Sequence, residues 1–162
     1  DGTPEDLCRI AGGRCYNVLP EEGVPTRILQ AHLIDETKLI VDAGEAIITQ
    51  NVEHIKKTLA AKAVVTTVRF NEKAYRVAYC ELESKYVSLA SQFYHEMFPG
   101  IDFNASLDKK ERPGQDPVWA WSLRTTRTNV PLGVIAKSQG GGGHSQAAAF
   151  SRSVEPKTFE LI

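Results

Sequence analysis

Val118-Trp119-Ala120-Trp121-Ser122-Leu123-Arg124 alternates large apolar with small or polar side chains. That alternation predicts a β-strand with Trp119, Trp121 and Leu123 on one face and Arg124 at its C-terminal edge. Pro131 then suits the opening of a short helix, Leu132 to Ser138, built around Val134-Ile135-Ala136. The helix runs into Gly140-Gly141-Gly142-Gly143-His144, and a further strand is expected from about Ala148 to Arg152. Strand, helix, glycine run and strand together return the chain to the same edge of a sheet, so this stretch decides the fold.

Four consecutive glycines read in two ways. A flexible tether would be extended by more Gly, Ser or Pro. Here the run is fenced by Val134-Ile135-Ala136 on one side and Ala147-Ala148-Ala149-Phe150 on the other. Apolar segments at both ends pin a loop and imply order. Residues without a Cβ let several backbone N–H groups converge, and such a concavity attracts an anion, most often a phosphate. His144 gains weight from its place at the mouth of this loop. If Arg124 lies beside it, a guanidinium fork, backbone donors and an imidazole surround one small space.

Outward from this unit, the pattern continues as strands mixed with helices. Ala63 to Phe70 is rich in β-branched residues, Asn71-Glu72-Lys73 forms a turn, and Ala74 to Cys80 alternates Tyr75, Val77 and Tyr79, which together predict a hairpin. Ile48, Val52, Ile55 and Leu59 recur on one helical face, with His54 off that face. Short helices are expected around 26 to 40. Ser84 is expected to cap a helix whose buried stripe is Tyr86, Leu89, Ala90, Phe93 and Met97. Ile101 to Ala105 suggests a short strand, and Asp108 to Asp116 a solvated turn. The sum is an α/β fold with a mixed sheet flanked by helices and no internal repeat.

The 162 residues and their 42% hydrophobic content suffice for one core. No apolar run approaches the length of a membrane span, so no membrane partner is expected. Cys8, Cys15 and Cys80 make an odd count with no trusted metal spacing, which points to an intracellular, reducing compartment. His32, His54, His95 and His144 are scattered singly. Residues 1–104 carry 11 basic and 15 acidic side chains, and residues 105–162 carry 8 and 5, so the glycine run lies in the net positive part. That excess suits a phosphate-bearing ligand but not a broad grip on duplex DNA.

Ser122-Leu123-Arg124, the helix with Val134-Ile135-Ala136-Lys137, and Gly140-Gly-Gly-Gly-His144-Ser-Gln-Ala-Ala148 resemble the C-terminal substrate-binding domain of the DHH phosphoesterases, over roughly residues 117 to 152. More weakly, Ala43 to Met97 is similar to the elements preceding them in that family, which includes RecJ-type exonucleases, oligoribonucleases and exopolyphosphatase-like proteins. The resemblance implies that Gly140, Gly141, Gly142 and Gly143 cradle phosphate and that His144 and Arg124 hold its oxygens, with Lys137 a weaker candidate. It implies a nucleotide or short single-stranded oligonucleotide as ligand. Mn²⁺ or similar ions would sit in a separate catalytic domain and none in this chain. Residues 1–42 are then an extension or the tail of that catalytic domain, and 43–162 the substrate-binding domain. No Asp-His-His run occurs in the sequence, and Ala149 stands where the family usually has glycine. His32, with Asp35 three residues on, reads as a packing residue. Two other functions compete: a degenerate domain acting as a structural or interaction subunit of a larger assembly, and a module for RNA ends like that of alanyl-tRNA synthetases.

Overall fold

The computed structural model describes residues 26–162, with side chains from Ile34 onward. Cys8, Cys15 and the side chain of His32 lie outside the described residues. The chain divides into two compact units, Asp1–Gln50 and Asn51–Ile162.

Helix α1 (Thr26–Lys62) is continuous across the boundary expected between residues 1–42 and 43–162, and replaces the short helices expected around 26 to 40. No proline interrupts it, and Gly44 alone costs only about 1 kcal/mol relative to alanine. In the first unit its Ile34, Leu39, Ile40, Val41, Ile47 and Ile48 are exposed. In the second unit Ile55 and Leu59 are buried, while His54 is exposed with its ring 4.9 Å from that of Tyr86.

The second unit is built on six strands: β1 (Val64–Phe70), β2 (Lys73–Glu81), β3 (Phe103–Lys110), β4 (Val118–Arg124), β5 (Gly142–Gly143) and β6 (Ala147–Arg152). Their order in the sheet is β1-β2-β3-β4-β6-β5. β1 and β2 form the expected hairpin, and its turn places Asn71 and Glu72 at positive φ. β2 and β3 are parallel, so the chain must cross over between them, and α2 (Val87–Met97) makes that crossing. β4 runs antiparallel to both β3 and β6. The α/β class read from the sequence is the observed one.

Alternation along the strands supplies two cores on opposite faces of the sheet. One holds Val77, Phe103, Ala105, Trp121 and Leu123 against Leu132, Ile135 and Ala136 of α3 (Leu132–Ser138), with Phe159 of the C-terminal segment added. The Phe159 ring sits 4.9 Å from Trp121 and 5.9 Å from Phe103, both edge-on, a geometry that aromatic quadrupoles favour. The other core packs Ala78, Cys80 and Ile101 against Ile55, Leu59, Ala90, Phe93 and Tyr94. Burial pushes the Cys80 thiol up to about 11, so it remains protonated at neutral pH.

Two local expectations are corrected. Ser84 does not cap α2. A 3-10 turn (Ser84–Tyr86) precedes that helix, and the Ser84 N–H and hydroxyl both donate to the Asp108 carboxylate, at 2.9 and 2.7 Å. Asp108, Lys109 and Lys110 pair with Ala120, Trp119 and Val118 of β4, so β3 runs on and the solvated turn begins only after Lys110, whose ammonium also donates to Asp108. Partial burial raises the Asp108 carboxyl, but the hydrogen bonds from Lys110 and Ser84 outweigh it and hold the group below its ordinary value. A carboxyl depressed by folding stabilises fully above its unfolded pKa and loses that contribution as pH falls through the folded value. Asp108→Asn should therefore lower the urea midpoint at pH 7, and the gap from the parent should close as pH is lowered below about 4. A gap that stays constant on acidification contradicts this account.

Candidate functional site

The glycine run is ordered, and each glycine has a distinct place. The Gly140 N–H donates to Lys137 O at 3.1 Å and the Gly141 N–H to Ala136 O at 2.8 Å. With φ of +85° at Gly140, these two bonds form a Schellman closure of α3, which only a residue free of a Cβ adopts without strain. Gly142 and Gly143 then form β5 against Ala149 and Ala148. The His144 N–H donates to Ala147 O at 2.8 Å. In an antiparallel ladder bonded and non-bonded pairs alternate, so Gly142 and Ala149 exchange both bonds and the Gly143 N–H turns away from β6. The expected cradle of four converging amides is thus reduced to one outward amide, at Gly143, because α3 and β6 take the others.

Absent side chains make this packing possible. A Cβ on Gly141 would lie 2.0 Å from Ala149 O, and one on Gly143 would lie 2.5 Å from the Ala148 Cα. Gly133, which the sequence pattern did not single out, belongs to the same device. Its Cβ would stand 2.9 Å from Gly143 O, so the first turn of α3 rests directly on the backbone of the hairpin.

Arg124 is the cross-strand partner of Ala147, whose carbonyl receives the His144 N–H. Arg124, Ala147 and His144 therefore occupy one row across neighbouring strands, with the backbones of Arg124 and His144 about 10 Å apart at two strand spacings. A guanidinium and an imidazole reaching across that gap can meet around one phosphoryl group. Arg124 is half-buried and donates to Leu123 O at 2.8 Å, and His144 is exposed. Lys137 is also exposed but stands four residues beyond Gly133, about 6 Å along the helix, at the end of α3 away from His144.

Trp121 and Leu123 point into the α3 core and Trp119 shares their face, so Ala120, Ser122 and Arg124 fall on the opposite one. The row Ser106, Ser122, Ala149 and Gly142 crosses that face beside Arg124. α2 covers its Ser106 end, where the Tyr94 hydroxyl meets Ser106 Oγ at 3.0 Å, while Ala149 and Gly142 are exposed. The methyl of Ala149 stands on this open floor and does not disturb the hairpin.

The strand end is braced from below. The Thr125 N–H donates to Gln146 O at 3.2 Å and its hydroxyl to Asp102 O at 2.7 Å, while the Arg127 guanidinium donates to Asp102 Oδ1 at 2.8 Å. Arg127 is thus engaged by a carboxylate. A groove of about 490 Å³ bordered by Gln139, Arg152 and Ile162 lies elsewhere, and there Arg152 is spent on Gln139 Oε1 and Glu160 O. Among the described residues no group of three or more His, Cys, Asp or Glu could hold a metal, so they do not fit a paired-metal centre. Nor is any described helix long and apolar enough to cross a membrane.

No protein-family model matches the chain. No curated protein matches it either. Among solved structures it is similar to an uncharacterized protein from Helicobacter pylori G27, at 16% identity and a TM-score of 0.42, covering 57% of this chain and 23% of that one. It is also similar to PggH from Vibrio cholerae, a pGpG-specific phosphodiesterase, at 10% identity and a TM-score of 0.49, covering 91% of this chain and 52% of that one. This chain thus spans well under two thirds of either protein. At scores below 0.5 neither likeness assigns a function or a site.

A tether would tolerate alanine equally at every glycine, and a built hairpin would not. Gly141→Ala should cost roughly 1–3 kcal/mol of unfolding free energy through overpacking. Gly142→Ala, where nothing lies within 4 Å of the added carbon, should stay within about 0.5 kcal/mol of the parent. Equal melting behaviour of the two variants refutes the ordered hairpin.

Proposed function

We propose that the chain is a phosphate-binding domain that seats the terminal phosphate of a mononucleotide or short single-stranded oligonucleotide, as the substrate-binding part of a phosphodiester-cleaving enzyme. The observation that carries this reading is the row Arg124, Ala147 and His144, with the Gly143 N–H turned outward next to it. Arg124 clamps one phosphate oxygen through its planar fork, and His144 and the Gly143 amide donate to others. Gly140, Gly141 and Gly142 act through the backbone shape they allow. The uncovered floor of Ser122, Ala149 and Gly142 leaves room for the remainder of the ligand.

Hydrolysis requires activation of water, which two divalent ions such as Mn²⁺ supply in enzymes that hold them. Such ions belong in this reading to a separate catalytic domain. The residues of this chain bind and orient. One positive fork, one imidazole and one amide make a small pocket, so binding should depend only weakly on salt.

A second reading, a structural or interaction domain of a larger assembly, draws support from the same hairpin, since three of its four glycine amides already serve internal bonds. Titration separates the two. The 5′-phosphorylated dinucleotide pApA should bind with a Kd between about 1 μM and 1 mM, and Arg124→Ala and His144→Ala should each weaken it at least about tenfold. The logarithm of affinity should fall with the logarithm of salt at a slope near −1, whereas an extended RNA track would give a slope several times steeper. Absence of pApA binding by the parent chain removes the phosphate reading and leaves the structural one.

A further inference from the structure

Asn104 is the direct cross-strand partner of Arg124, so the two side chains emerge on the same face with Cβ atoms about 5 Å apart. Asn104 is fully buried. Its Nδ2 donates to Ser91 Oγ at 3.3 Å, and its Oδ1 has no partner. A buried amide oxygen left unpaired costs roughly 1–3 kcal/mol, and an apolar side chain of similar shape would avoid that cost. Arg124 presents the complementary surplus: five N–H donors in a rigid fork, with one hydrogen bond, to Leu123 O.

We propose that Asn104 is a positioning residue for Arg124, its Oδ1 receiving one guanidinium N–H when an anion occupies the site. The inference rests on the phosphate reading above. In the bound state one edge of the fork faces the phosphate, and a further N–H turns from the Leu123 carbonyl to the Asn104 amide. The phosphate on one edge and the Asn104 oxygen on another then set the plane of the guanidinium, which a single contact leaves free to rotate. Asn104 itself is too deep to touch the ligand.

The test measures pApA affinity and urea unfolding on the full chain for the parent, Asn104→Leu, Asn104→Asp, Arg124→Ala and the Asn104→Leu/Arg124→Ala pair. Asn104→Leu should leave the unfolding midpoint unchanged or raised yet weaken pApA about tenfold. Asn104→Asp, which keeps an acceptor, should hold affinity within about threefold of the parent. The double variant should bind no more weakly than Arg124→Ala, since the amide acts through the arginine. If the leucine variant does not fold, Asn104→Ala answers the same question. Parental affinity in Asn104→Leu, or additive losses in the double variant, overturns the assignment while leaving the phosphate site intact. A parent chain that does not bind pApA, or an Arg124→Ala variant that binds it normally, overturns the underlying reading and this inference with it.

Discussion

Backbone resting on backbone at the end of α3 is the constraint from which the candidate site follows. Gly140 closes the helix in the left-handed region, Gly141 passes against the Ala149 carbonyl, and Gly133 admits the Gly143 carbonyl at the helix start. A Cβ at Gly133 or Gly141 would press on main chain, and one at Gly140 would be strained by its positive φ. Because the closure brings β5 onto β6 at once, the hairpin that follows has no slack, and its register puts His144 opposite Ala147. Arg124 enters the same row from the other side through the β4–β6 ladder.

The site is therefore placed by hydrogen-bond registers, and side-chain packing serves mainly to hold those registers. Trp121 and Leu123 fix which face of β4 is buried, and a slip of one residue would turn Arg124 inward. Below the row, the Thr125 hydroxyl donates to the Asp102 main-chain carbonyl and ties the end of β4 to the start of β3, while Arg127 pairs with the carboxylate of the same residue. Charge near the strand end is thereby divided between an arginine spent on structure and one half-exposed arginine with donors to spare.

Much of this architecture could be read along the chain. Period-two patterns located the β1–β2 hairpin and β4, and proline and glycine marked both ends of α3, because these signals are local and each strand is buried on a definite face. The extent of β3 was not legible, since Asp108-Lys109-Lys110 carries three charges and joins the strand by pairing with Ala120, Trp119 and Val118 of β4, with the Asp108 carboxylate also held by Ser84 some twenty-four residues away. The length of α1 was obscured by Gly44 and by apolar residues that the first unit leaves exposed. Gly133 could have been noticed as a glycine inside a seven-residue helix, where it is unfavourable without a packing reason. Nothing local marked Asn104, an ordinary polar residue until β4 is laid beside it.

Composition and order of residues were sufficient to indicate an α/β chain and a glycine run pinned at both ends, since both depend on neighbours within about twenty residues. How many amides that run can offer was settled elsewhere. Gly140 and Gly141 spend theirs on the helix, Gly142 spends its own on β6, and Gly143 faces outward, an allocation set by ladder register and helix closure. Such bonds join residues whose identities carry no trace of the partner, because every main-chain amide is chemically the same until folding chooses its acceptor.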